Sequence, residues 1–435
     1  MRKAIEEIIR DFQSSAPVKL SIRELKIPKL PAGLNKPFVF IGMRRTGKTY
    51  LLLQIIQELQ VEGIDKDRII YINFEDERLA DLSADKLRLI LDCHTEIYPE
   101  KSKKRRFLFL DEVQIVKHWE KFVRRLIDNE DMQIYLTGSS SKLLGSEVAA
   151  SLRGRSLTFE VMPFSFREYL SYRNVDYSGI LNSKLIGLIK NIFSDYLVNG
   201  GFPETINMEE QLRLQTLQEY ITVAVHRDIV ERHQLKNPDA LKALIKYLLE
   251  NSASLFSIHK AYNLFKSQGR SVSKDSMYKF IDHIHDAFLL FPVELFSPSK
   301  NKRMANPKKM YALDTGLMTA FSWKYSRNIG ALLENCVYAE LRRRSARINY
   351  YKTQTGKEVD FICQNQKGEI TLIQVAAEIN SPPTLDREKR ALQEAMDELN
   401  IAESFLITLN DDDKIQYGKK TINILPAYRW FLLRD

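Results

Sequence analysis

The stretch GMRRTGKT, residues 42–49, sets two glycines, a lysine and a hydroxyl at the spacing that holds a phosphate chain. Its glycines allow successive backbone N–H groups to curl around a phosphate, and a helix starting here adds the positive end of its dipole. Lys48 would neutralise the β- and γ-phosphates of a nucleotide, and the Thr49 hydroxyl would bind Mg²⁺. The predicted contact set is Gly42, Arg45, Thr46, Gly47, Lys48, Thr49 and Tyr50. Further along, the apolar run of RRFLFLDE ends in Asp111, suited to hold Mg²⁺ through its water ligands. The adjacent Glu112 is then placed to polarise the attacking water as a general base. In LTGSSS the hydroxyls of Thr137, Ser139 and Ser140 could reach the γ-phosphate or that water, although this pattern alone is also a helix-cap signal. SLRGRS offers Arg153 and Arg155 either as cations for transition-state charge or as parts of a solvated basic loop.

A second constellation stands near the C-terminus. The stretch EVDFICQNQKGEITLIQVAAEI, residues 358–379, reads as a hairpin with Asp360 on one strand and Gln374 on the other, and Glu334 lies on the helix before it. The order helix, strand, strand, strand, helix, strand resembles a restriction-endonuclease-like core, which gathers carboxylates around Mg²⁺ and sets a lysine beside the attacking water. That pattern ends in Glu-Val-Lys where this chain has Gln374, Val375 and Ala376. A second site of Glu334, Asp360 and Gln374 would keep an amide oxygen for a metal but lose a full negative charge. Ala376 can neither orient water nor offset charge developing on phosphorus. Lys352 or Lys357 could migrate into the role. Otherwise the module is a retained fold without nuclease activity, holding DNA or protein through the basic run Arg342, Arg343 and Arg344.

Positioning such groups takes more than one core, and 435 residues are enough for two to four domains. The expected fold class is α/β. A parallel P-loop sheet occupies residues 1–160, a helical lid or linker 161–238, a winged helix-turn-helix 239–325 and a nuclease-like α/β domain 326–435. PFVFIG, RIIYINF and FLFLD are continuous apolar runs, as expected of parallel strands covered on both faces. In the third segment residues 273–286 form the predicted recognition helix. Its wing carries Lys300, Lys302, Arg303, Lys308 and Lys309, cations that could meet DNA phosphates. His259, His283 and His285 lack carboxylate or cysteine partners at ligand spacing and read as packing or surface residues.

Composition bounds the class. With 44% hydrophobic and 28% charged residues the chain is a folded globular protein rather than a disordered one. A net charge of +9 permits a nucleic-acid partner without requiring one. Cys93, Cys336 and Cys363 are too scattered for a zinc knuckle or disulfide framework, which fits a reducing compartment. The N-terminus has charges at helical spacing instead of a signal core, and no apolar run approaches the ~18 residues of a membrane span. A cytoplasmic location is expected.

Residues 37–170, through GMRRTGKT, FLFLDE, LTGSSSKLL, LRGR and MPFSFREYL, resemble AAA+-type ATPases. YLVNGGFPETI, VHRDIVERH and LLENCVYAEL extend the likeness to the prokaryotic members whose C-terminal domain of unknown function is related to PD-(D/E)xK nucleases. The resemblance implies Lys48 and Thr49 at the nucleotide, Asp111 and Glu112 at Mg²⁺ and water, a sensor role near Ser139, and Arg155 touching nucleotide or a neighbour. The leading reading is an ATP- and Mg²⁺-dependent switch acting on DNA or on a protein partner, as a monomer or a homo-oligomer. Its rivals are an ATP-regulated metal-dependent nuclease and a non-enzymatic ATP-binding scaffold.

Overall fold

The computed structural model describes residues 1–435 apart from 32, 102–103, 140–151, 180–181, 236–237, 271, 323–327, 345–346, 366, 380–381 and 434–435. The chain divides into two compact units, Met1–Met162 and Pro163–Asp435.

In the first unit β1 (Phe38–Gly42), β2 (Ile69–Asn73), β3 (Arg106–Asp111), β4 (Met132–Ser139) and β5 (Leu157–Glu160) form one parallel sheet in the order β2-β3-β4-β1-β5. Every residue of β1 and of β3 is buried, as expected of strands with no solvent face. The rings of Phe109 on β3 and Tyr135 on β4 stack at 4.4 Å. Burying a side chain of this size contributes about 2–3 kcal/mol. The parallel strands need crossovers, and these are helical: Lys48–Val61 after β1, Leu89–Ile97 after β2 and Trp119–Asn129 after β3. The N-terminal helix Arg2–Ser14 buries Ile5, Ile8 and Ile9, the stripe its charge spacing left apolar.

The second unit begins with the helices Phe166–Tyr172, Ser183–Asn199 and Glu210–Val223, which continue into a π-helical turn at Ala224–Val230. The latter two of these helices pack on the helix Thr315–Phe321. Next come helix Pro238–Glu250, β6 (Ser254–Phe256), helices Ile258–Ser267 and Lys274–Asp286, then β7 (Leu290–Val293) and β8 (Lys308–Ala312). The three strands make an antiparallel sheet in the order β6-β8-β7. Strand β6 was not legible in the sequence because only three residues pair, two of them exposed.

The last part carries β9 (Arg347–Lys352), β10 (Glu358–Gln364), β11 (Ile370–Val375), β12 (Glu403–Thr408), β13 (Asp413–Tyr417) and β14 (Lys420–Pro426). They form a mixed six-stranded sheet, β13-β14-β12-β11-β10-β9. The predicted hairpin is β10–β11, in antiparallel register with Phe361 opposite Ile373. Helix Pro382–Glu398 connects β11 to its parallel neighbour β12. On the other side β10 slips against β9 between Val359 and Ile362, an irregularity that falls on Asp360. Helix Ile329–Arg343 is buried along most of its length, Glu334 sitting among its apolar residues.

Candidate active site

The phosphate loop leaves β1 at Gly42 and ends where Gly47 caps the helix beginning at Lys48. Both glycines are required by the backbone. A Cβ on Gly42 would stand 2.3 Å from the Val161 carbonyl oxygen, and Gly47 has φ +93°. Arg45 also lies at positive φ, 65°, a turn of the loop that leaves its side chain exposed. Lys48 is buried, and its ammonium donates to the carbonyl oxygens of Gly42 at 3.2 Å and Met43 at 3.1 Å. It also lies 3.8 Å from a Glu112 carboxylate oxygen. Thr46 is fully buried, its hydroxyl donating to the Met43 carbonyl at 2.9 Å, whereas Tyr50 is 57% exposed.

Asp111 closes β3 beside the loop and is completely buried. It accepts hydrogen bonds from the Tyr71 hydroxyl at 2.9 Å and from the hydroxyls of Thr137 and Thr49. Burial pushes its carboxyl above the ordinary range, and the Thr137 and Thr49 hydroxyls pull it back. Glu112 follows with φ 53°, a left-handed conformation that glutamate adopts at a cost of about 1–3 kcal/mol. The Glu112 N–H donates to the Thr137 hydroxyl at 2.9 Å, so Thr137 braces both acids. Gln114 donates to the other Glu112 oxygen.

Lys48, Thr49, Asp111 and Glu112 are therefore brought together at the carboxyl ends of the strands. Ser139 is level with Gly42 in the β1–β4 register, while Ser140 lies outside the described residues. Arg155 is not brought there. It precedes β5, whose first residue pairs with Phe38 at the amino end of β1, and its guanidinium pairs with Asp128. Within one chain it stands near the amino ends of the strands, whereas the phosphate loop stands at their carboxyl ends.

Two residues that sequence reasoning passed over complete the site. Arg23 is buried and donates to the Thr46 carbonyl at 2.7 Å and the Met162 carbonyl at 2.6 Å, fixing the loop from the N-terminal extension. Tyr71, from β2, holds Asp111. A half-buried tyrosine in a continuous apolar strand carries no sequence signal of its partner. The donor set fits a nucleoside triphosphate with Mg²⁺: a pinned ammonium, a hydroxyl and a buried carboxylate beside a loop that turns through the positive φ of Gly47.

The C-terminal constellation differs from expectation. Lys309, predicted on a DNA-facing wing, is buried, and its ammonium contacts Glu334 at 2.9 Å, Glu358 at 2.8 Å and Asp360 at 2.8 Å. The Tyr311 hydroxyl donates to the same Glu334 oxygen at 2.7 Å. Gln374 does not offer a free oxygen to a metal. Its carbonyl oxygen accepts the Asp360 N–H at 3.0 Å, and its amide donates to Glu388 at 2.7 Å. Of the two suggested replacement lysines, Lys352 is exposed, and Lys357 lines the cleft beside Asp360 with its ammonium paired to Glu394. Among the described residues no group of three or more His, Cys, Asp or Glu is arranged to hold a metal ion. Mg²⁺ does not fit this site, because an ammonium stands among the carboxylates that would bind it.

The arginine run is likewise turned inward. Arg343 contacts Glu340 and the carbonyls of Pro163 and Phe164, Arg344 contacts Glu340 and lies 4.5 Å from the Trp430 ring centroid, and Arg342 lies 3.8 Å from that of Phe291. Within the unit these three half-buried side chains are engaged by Glu340, main-chain carbonyls and aromatic rings rather than arrayed as one exposed basic face.

Comparison with known proteins follows this division of labour. An AAA domain matches residues 34–170, and two domains of unknown function, DUF8612 and DUF4143, match residues 190–327 and 329–430. The uncharacterized protein MJ1544 of Methanocaldococcus jannaschii is 38% identical over 98% of this chain and 95% of its own length. An uncharacterized Haemophilus influenzae protein is 33% identical over 78% of this chain and 82% of its own. The solved structure of the Aeropyrum pernix ORC1 protein in complex with DNA covers 78% of this chain and 93% of its own at 14% identity, with a TM-score of 0.28, too low to bear on fold or function.

Proposed function

Since this chain belongs to one family with MJ1544 and its residues 34–170 match an AAA domain of the P-loop ATPase type, we propose that it hydrolyses ATP with Mg²⁺ and uses the nucleotide cycle as a switch. The observation that carries this reading is the juxtaposition of Lys48 and Glu112, 3.8 Å apart beside a glycine loop and braced by Thr137. In the reaction the Lys48 ammonium exchanges the carbonyls of Gly42 and Met43 for β- and γ-phosphate oxygens. Thr49 and Asp111 would hold Mg²⁺, which when bound offsets phosphate charge. Glu112 accepts a proton from the water that attacks the γ-phosphorus, and ADP and phosphate leave. Gly42, Arg45, Thr46, Gly47 and Tyr50 complete the contact set in this reading, with Ser139 as the polar group at the end of the neighbouring strand. Arg155, near the amino ends of the strands and away from its own phosphate loop, would serve the nucleotide of a second copy in a homo-oligomer.

The switch would act on DNA through residues 239–325. The order helix, strand, helix, helix, strand, strand, with β8 between β6 and β7, supports a winged helix there. Lys274, Tyr278 and Lys279 are exposed on the recognition helix, and Lys300 and Lys302 on the following connection. Residues 161–238 act as the helical linker and 326–435 as the nuclease-like domain that does not cut. No helix among the described residues is long and apolar enough to cross a membrane, and the reading places the protein in the cytoplasm.

The test is phosphate release with and without Mg²⁺ and duplex DNA. Wild type should turn over steadily and faster with DNA. Glu112→Gln should lose turnover by about a hundredfold or more while still binding ATP. Undiminished hydrolysis in that variant would remove Glu112 as the base, and DNA binding indifferent to salt would remove the winged-helix assignment.

A further inference from the structure

We infer that the carboxylate cluster of the C-terminal domain is a cation site whose resident cation is the Lys309 ammonium, delivered by β8, and that this is why the domain takes up no divalent metal. Lys309 reaches the cluster from the three-stranded sheet, whereas Glu358 and Asp360 stand on β10 and Glu334 on the helix Ile329–Arg343. Three carboxylate oxygens surround one nitrogen at 2.8–2.9 Å. That cage is within about half an ångström of the distances at which oxygens surround Ca²⁺.

Both oxygens of Asp360 and both ends of the Gln374 amide are engaged. Asp360 gives one oxygen to Lys309 and the other accepts the Val375 N–H at 3.0 Å. Glu334 takes both Lys309 and Tyr311 on one oxygen. Gln374, the substitute for a third carboxylate, ties Asp360 to Glu388 and so acts as a strut. Burial opposes the Lys309 charge, yet Asp360, Tyr311, Glu334 and Glu358 together hold its ammonium well above the ordinary lysine range. Burial and the neighbouring Asp360 push the Glu334 carboxyl up.

The chemistry is self-consistent. The carboxylates of Glu334, Glu358 and Asp360 repel one another, and the ammonium among them offsets part of that repulsion without a divalent ion. A cleft of about 400 Å³, lined in part by Glu334, Glu358, Asp360 and Arg387, gives small ions access from solvent, so exclusion rests on Lys309 and not on a closed wall.

The experiment measures Mn²⁺ alone binding to the full-length protein, by the free-Mn²⁺ resonance signal and by thermal shift. Wild type, Lys309→Ala, Lys309→Arg and Lys309→Ala/Asp360→Asn are compared, the double variant separating this site from the nucleotide site. Lys309→Ala should gain a Mn²⁺ site at least about tenfold tighter than any Asp360-dependent binding in wild type, and the double variant should lose it. Lys309→Arg should gain none. If Lys309→Ala is unfolded in EDTA but folds when Mn²⁺ is added, the inference also stands. It is overturned if wild type already binds Mn²⁺ through Asp360 as tightly as the variant, or if Lys309→Ala neither gains a site nor is restored by the metal. ATP turnover is read separately, so this result and the ATPase reading fail independently.

Discussion

Arg23 and Thr46, 23 residues apart in the chain, are joined by a 2.7 Å hydrogen bond from the guanidinium to the carbonyl oxygen inside the phosphate loop. The other arm of the same guanidinium holds the Met162 carbonyl, at the end of the unit. Replacing Arg23 with Ala should therefore destabilise the first unit by about 2–3 kcal/mol, the scale of charge-assisted hydrogen bonds. Nucleotide affinity should weaken in parallel. Denaturant unfolding followed by ATP titration checks both.

Thr137 links two acids that do different work. Thr137→Val keeps the shape but leaves the Glu112 N–H and the Asp111 carboxylate without that partner. Turnover should fall by about a hundredfold, as for a misplaced reacting group, with a much smaller change in ATP affinity. Single-turnover kinetics against equilibrium binding separates the two effects.

Glu340 is buried among Arg167 at 3.2 Å, Arg344 at 3.3 Å and Arg343 at 3.4 Å. Glu340→Ala would leave these guanidiniums uncompensated and should cost about 3–5 kcal/mol. Chemical denaturation of the variant reads the loss, and Glu340→Gln should recover part of it through hydrogen bonding.

His94 carries the expected pH dependence. Burial holds its imidazole down to about 4, against the ordinary value near 6.5, and its Nε2 lies 2.9 Å from the Asp67 carbonyl. Between those values the unfolded chain binds a proton that the folded one refuses, so stability falls as pH drops from about 6.5 to about 4. His94 itself accounts for up to about 3 kcal/mol across that window. Comparing unfolding of wild type and His94→Gln from neutral pH downward isolates this contribution: the difference between them should shrink or reverse on acidification.

What the sequence made legible was local. GMRRTGKT and FLFLDE carry their chemistry within a few neighbouring residues, and the fold does no more than bring Lys48 to Glu112. Lys309 could not be read this way. Its three carboxylate partners lie from 25 to 51 residues on, and whether its strand faces solvent or Asp360 is decided by packing of β8 against another sheet. The same holds for Arg342, Arg343 and Arg344, basic in any composition count but matched by Glu340, main-chain carbonyls and aromatic rings supplied by the fold. Charge runs are visible in a sequence; their counter-ions are not.

Lys309 also constrains how this protein can be taken apart. A truncation after the three-stranded sheet, near residue 326, would separate the ammonium from all three of its carboxylates. The excised N-terminal piece would then expose Met310 and Tyr311, both buried in the intact chain, and the C-terminal piece three crowded acids without their ammonium. Each half should express poorly alone and recover when the two are co-produced, so a stable fragment has to keep β8 and β10 together.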